Sequence, residues 1–153
     1  QIFIFILFYV VYIFKGAVIT PNANIVLFPV LVLFMGMLGL GLGMIISSMV
    51  TKYRDLKFLM SFAVQLLMYV SVVVYPLSLI IQKINEGKIP KFVGDIITYN
   101  PMTQVIESAR YMLFNEGSFT YVGFLYTGVV SSVILLLGLV IFNKTEKSFI
   151  DTV

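Results

Sequence analysis

Thr51-Lys52-Tyr53-Arg54-Asp55-Leu56-Lys57 sets four charged side chains between two long uncharged runs. Residues 25–50 carry no ionisable group, and residues 58–82 carry none that is charged at neutral pH. An ion held in hydrocarbon costs several kcal/mol, so a charged knot between two such runs must face water at one membrane surface. The flanking runs then read as membrane spans, and the rest of the chain is placed by that frame.

Composition agrees. The 153 residues are 60% hydrophobic and 11% charged, with a mean hydropathy of +1.05. A soluble domain has about 25% charged and about 45–50% apolar residues. The fold class read from this is all-α integral membrane. The net charge of +3 is small, and its lysines are scattered rather than striped, which argues against nucleic acid as a partner. The 153 residues hold no cysteine and no histidine. Zinc centres of the usual ligand set, Ser-His triads and thiol nucleophiles are therefore excluded from them, and no metal site is expected. Gln1 opens inside an apolar run with no basic region or cleavage site before it, unlike a signal peptide. The expectation is a C-terminal fragment of a longer chain.

Outward from the knot, residues 25–50 make about 39 Å of helix, enough to cross with tilt. Within them Gly36, Gly39 and Gly43 suggest close helix packing, Gly39 and Gly43 through the small-xxx-small spacing; a hinge is the alternative. Residues 58–81 read as the next span, kinked near its outer end by Pro76. Residues 2–14 form a partial span, too short to cross alone. Residues 82–120 are mixed and amphipathic. Inside them Asn100-Pro101 is a helix start, in which Asn caps free N–H groups and Pro fits the first turn. The helix it opens runs over 102–114 and stops at Asn115-Glu116-Gly117. It is too short to cross, so it lies at the interface or dips in and returns. Residues 121–142 are the last span, and 143–153 a tail.

Two crossings separate knot from tail, so both lie on one side. That side holds Lys52, Arg54, Lys57, Lys144 and Lys147; the other holds Lys15, Lys83, Lys88, Lys91 and Arg110. The count is even. The three cations packed into residues 51–57 give a slight preference for a cytoplasmic knot.

The run Gly39-Leu40-Gly41-Leu42-Gly43, leading through Ser47 and Ser48 into Thr51-Lys52-Tyr53-Arg54-Asp55-Leu56, resembles the ABC-2 type permeases of polysaccharide, O-antigen and teichoic-acid export. Tyr75-Pro76-Leu77-Ser78, Asn100-Pro101-Met102 with Ile106-Glu107 and Arg110, and the closing Glu146-Lys147-Ser148-Phe149-Ile150-Asp151 follow in the family's order. The resemblance implies the C-terminal portion of a six-span permease of the bacterial or archaeal cytoplasmic membrane. Such a permease forms a homodimer, with a second permease copy as its partner, and pairs with a separate ATPase subunit. It moves a lipid-linked glycan or teichoic-acid-type polymer outward. ATP and Mg would sit on the partner subunit, with no cofactor on this chain and no catalytic residue. Residues 51–57 and 143–153 would be cytoplasmic, and the helix after Asn100 would belong to an external re-entrant pair.

Lys52, Tyr53, Arg54, Asp55 and Lys57 then form the candidate coupling connection to the ATPase, with Arg54 and Asp55 as an internal or intersubunit pair and the lysines on lipid headgroups. A topological anchor is the plainer alternative. Asn100, Pro101, Glu107 and Arg110 are candidates for the external gate. Glu107 and Arg110, three apart, also suit a local surface pair worth a few tenths of a kcal/mol. Tyr69, Tyr75 and Gln65 are candidates for a substrate path, against interfacial anchoring and interhelical hydrogen bonding. Competing functions are an ABC-2 drug or lipid exporter, a passive anchor subunit, and a membrane-embedded glycosyl- or acyltransferase. The last is disfavoured because residues 25–50, 58–81 and 121–142 hold no Asp, Glu or His.

Overall fold

The computed structural model describes residues 2–16, 22–53 and 55–150, and among them every regular element is helical. In chain order these are α1 (Ile2–Phe14), a 3-10 turn (Ala23–Leu27), α2 (Phe28–Lys52), α3 (Leu56–Val70), α4 (Leu77–Asn85), α5 (Lys91–Tyr99), α6 (Pro101–Phe114) and α7 (Tyr121–Ile150). Two stretches, Ala23–Thr51 and Tyr121–Glu146, are long and apolar enough to cross a membrane. Their outward faces are Leu, Val and Ile: Leu33, Leu40, Val129, Leu136 and Val140 are all exposed. Meanwhile Ser48, Thr103, Ser108, Thr127 and Ser131 are buried. That distribution inverts the one a water-soluble chain adopts, and it suits an all-α membrane protein whose solvent is lipid.

The long helices α2 and α7 pack side by side along most of their length. On α2 the inward positions are Leu31, Phe34, Leu38, Gly41, Ile45 and Ser48; on α7 they are Phe124, Thr127, Ser131, Ile134, Gly138 and Thr145. Both sets step by three and four, with one step of seven at the end of α7, the seam of two helices crossing at a shallow angle. Phe34 meets Phe124 at the first end, with ring centroids 5.1 Å apart, and Gly41 meets Gly138 further along. Ser48 and Thr145 share a cavity at the other end. The two helices therefore run parallel, and the end of α2 lies beside the last turns of α7. The hydroxyls of Ser48, Thr127 and Ser132 donate back to carbonyls four residues earlier, which satisfies them without a partner helix.

The close approach is not where the glycine spacing puts it. A Cβ on Gly36, Gly39 or Gly43 would meet nothing within 4 Å, whereas one on Gly41 would lie 2.8 Å from the Ile134 carbonyl. Two helical residues separate Gly41 from both Gly39 and Gly43, a turn of about 200°, so the pair faces away from α7. The spacing is real, but its face is exposed within this chain.

Residues 58–81 are not one kinked helix. The chain leaves the helix at Val70 and re-enters it at Leu77. Three causes converge between them. Val72-Val73-Val74 are β-branched and stiff, Tyr75 is pushed out of the helical region by the proline after it, and Pro76 has no N–H to donate. Val72 takes φ +50°, a left-handed conformation rare for a β-branched residue. Beyond the break, α4 and α5 fold back on each other through Leu77, Ile80 and Ile97, with Ile84 seated against Gly94. The 82–120 stretch thus holds α5 as well as the helix its Asn-Pro start announces. α7 also continues to Ile150, well into the expected tail.

Candidate functional site

α6 begins beside the middle of α2 and ends beside its start. Pro101 and Met102 line a cavity with Leu38, Gly39 and Leu42 from the middle of α2. At its other end, the Met112 carbonyl accepts from Asn22 N–H at 3.1 Å, just before α2 begins. Leu38 lies ten residues into α2, about 15 Å down its axis. The Asn22 side-chain amide also donates to Asn115 Oδ1 at 3.0 Å, and Asn115 closes α6 in the left-handed conformation at φ 56°. Asn100 Oδ1 accepts from Met102 N–H at 2.9 Å, the cap its sequence announces.

One stripe of α6, made by Asn100, Thr103, Glu107 and Arg110, faces the broken segment between α3 and α4. These positions step by three and four, a single face of the helix. Asn100 Nδ2 donates to Ser71 Oγ at 3.2 Å, and Thr103 Oγ1 to the Val70 carbonyl at 3.4 Å. Arg110 Nη2 donates to the Val72 and Val73 carbonyls at 3.2 and 3.1 Å. Its Nη1 donates to the Tyr75 carbonyl at 3.3 Å and to Glu107 Oε1 at 2.9 Å. Glu107 Oε1 in turn accepts from the Leu77 N–H, the first of α4, at 3.2 Å.

The bonds to backbone groups replace ones that a continuous helix would make. Val72 would receive its hydrogen bond from residue 76, which is proline. Val73 would receive one from Leu77, whose N–H goes to Glu107 instead. Tyr75 would receive one from Leu79, whose N–H goes to the Pro76 carbonyl. Arg110 supplies all three carbonyls. Tyr75 Oη likewise donates to the Tyr69 carbonyl, which a helical Val73 would otherwise serve. An unpaired backbone group in an apolar setting costs several kcal/mol, so the donors that α6 brings stabilise the break. Left-handed Val72 adds strain of order 1–3 kcal/mol that the same bonds offset.

The Glu107–Arg110 pair is therefore no local surface pair. Glu107 is 2% exposed, and the arginine holds backbone from a segment more than thirty positions away. Removing one member of such a pair strands the other and costs about 3–5 kcal/mol. Gly117 covers the site. At φ +105° it turns the chain after α6 so tightly that a Cβ there would stand 3.1 Å from Glu107 Oε2.

Beside this stripe opens a cavity of about 830 Å³, lined by Gln65, Val70, Ser71, Tyr99, Asn100 and residues of α2. Gln65 and Asn100 thus line the same cavity. Tyr69 is exposed, and the Tyr75 hydroxyl is turned to its own backbone, so neither tyrosine lines that cavity. Tyr99, which does, is fixed by its carbonyl accepting from Tyr126 Oη at 2.9 Å. In the α4–α5 turn, Glu86 is exposed and held below the usual carboxylate value, first by Lys88 at 2.7 Å and then by Gln82.

At the opposite end of α2, Tyr53 closes the helix with its N–H on the Met49 carbonyl at 2.9 Å. Tyr53, Asp55, Ser48 and Thr145 line a cleft of about 580 Å³. Asp55 and Lys57 are exposed. Arg54 and the Lys52 side chain lie outside the described residues, and with Arg54 goes the expected Arg54–Asp55 pair. α6's role as a donor strip, the break at 71–76 and the Gly41–Gly138 approach carry no local sequence signal beyond Pro76 and the valine run.

Two relatives are similar to this chain. Each is an O-antigen export system permease protein RfbA of Klebsiella pneumoniae, one 31% identical over 113 residues and the other 29% over 112. Each match covers 72% of this chain and 39% of the relative, so the chain spans about two fifths of the length of the curated relatives it matches. No family model matches, and no solved structure matches. The similarity is thus to a permease protein of an O-antigen export system.

Proposed function

We propose that this chain is part of the permease of an ATP-driven exporter that moves a lipid-linked polysaccharide of the O-antigen type out of the cytoplasm. The observation that carries the reading is 31% identity over 113 residues to an O-antigen export permease. Two parallel apolar helices, with the shorter α6 packed beside the first half of α2, support it. On this reading the protein works as a homodimer with a separate ATPase subunit, which holds the ATP and Mg. Residues 51–57 and the last turns of α7 lie at the cytoplasmic face. Asn100, Pro101, Glu107 and Arg110 shape the external end of the path, and the Gln65 cavity lies along it.

The test is complementation. A strain that lacks its O-antigen permease but keeps the cognate ATPase should regain surface polymer when the intact protein is expressed. Correct membrane insertion without surface polymer, and without co-purification of the ATPase, would overturn the reading.

A further inference from the structure

We propose that α3 and α4 are the two halves of one switchable helix, held broken by the Glu107–Arg110 pair on α6. The inference concerns this chain's own backbone and stands whatever the protein carries.

Arg110 and Glu107 do not merely touch the break; they occupy the bonding positions of the helix that would replace it. Arg110 stands in for the donor that Pro76 lacks at the Val72 carbonyl, and it shares the Val73 carbonyl whose helical donor, Leu77 N–H, is taken by Glu107. When the pair withdraws, those carbonyls lose their donors, and the nearest replacements are the chain's own amides, reached by continuing the helix. Only the Val72 carbonyl would then stay short of a donor, and prolines inside membrane helices are tolerated at that cost. Val72 would also leave its left-handed conformation.

The two forms differ in reach. Broken, α3 has 15 residues, about 22 Å, short of a bilayer's hydrocarbon core. Joined with α4 it would have 30 residues from 56 to 85, about 45 Å, ample for a tilted crossing. Straightening would carry Val70, Ser71 and Val73 away from Tyr99 and Asn100, and so reshape the cavity they line together. A packed element with two discrete arrangements is what conformational coupling requires.

Spin labels on cysteines replacing the exposed Phe62 and Ile81, in the intact protein freed of other cysteines and held in lipid nanodiscs, report the state. A continuous helix sets their backbones about 28 Å apart, nineteen residues at 1.5 Å. The unaltered protein should show another separation, with the 28 Å component at about a tenth or less. Pro76→Ala restores the missing N–H and keeps both ions, so it folds and should raise that component several-fold. Arg110→Gln should make it the main one, and P76A/R110Q more so. An unaltered protein already at 28 Å, or a P76A distribution identical to it, would overturn the proposal, and the P76A result decides even if R110Q fails to insert.

Discussion

Gly41 and Gly138 bring the backbones of α2 and α7 into direct contact: a Cβ on Gly138 would sit 2.5 Å from the Gly41 carbonyl oxygen. No side-chain rotation relieves a clash with backbone. The two long helices owe their shallow, parallel packing to this pair, with Phe34 against the Gly128 backbone one step earlier on the same seam.

Gly138→Ala should therefore force the helices apart and cost about 1–3 kcal/mol, the usual range for overpacking. Gly39→Ala and Gly43→Ala, whose added methyl meets nothing within 4 Å, should be neutral or slightly stabilising through helix propensity. Thermal unfolding in detergent, followed by loss of monodisperse protein, separates the two classes. Equal losses at Gly39 and Gly138 would show that the exposed glycine face is packed by something outside this chain.

Asn100→Ala removes the cap of α6 and its bond to Ser71 together. The cap alone is worth about 1 kcal/mol. Asn100→Asp keeps the cap oxygen and loses only the amide that reaches Ser71. The alanine variant should lower the unfolding midpoint more than the aspartate variant does. An aspartate loss as large as the alanine loss would assign the residue's worth to the α3 contact instead.

The chemistry that acts within a few residues was legible in the sequence. Asn100-Pro101 announces a helix and the structure starts one there; Asn115 to Gly117 announces its stop, and the chain turns there through two positive φ angles. What failed was whatever depends on a partner. The glycine spacing shows that a close face exists, but only α7 decides that Gly41 is the residue used. Pro76 removes one donor and so reads as a kink. It becomes a six-residue break because Arg110, distant in sequence, supplies enough donors to hold the chain open. Gly87-Lys88-Ile89-Pro90 could have split α4 from α5, since Gly87 turns at φ +71° and Pro90 precedes the second helix.

Topology follows from the parallel packing. With α2 and α7 side by side in the same direction, cysteines replacing Lys57 and Glu146 should be labelled from one side of the membrane by an impermeant maleimide. A cysteine at Lys88, in the α4–α5 turn, should be labelled only from the other. Labelling of Lys57→Cys and Lys88→Cys from the same side would break the placement of the α4–α5 turn on the side opposite residues 51–57.

The cleft at the end of α2 bears on coupling. Tyr53 and Asp55 line it with Ser48, Ile141 and Thr145, so both flanks of the short connection to α3 open onto the same cleft as the end of α7. A push on residues 53–55 would then move both long helices as one body, because Gly41 and Gly138 lock them together. If an ATPase delivers that push, Asp55→Ala and Arg54→Ala should leave the complex assembled and its ATP hydrolysis within about two-fold, while polymer reaching the surface falls ten-fold or more, the size of a coupling term of about 1.4 kcal/mol. Thr145→Val, which alters the cleft wall without touching the connection, should give a smaller loss. Full export in both charge variants would leave residues 51–57 as a membrane-surface anchor alone.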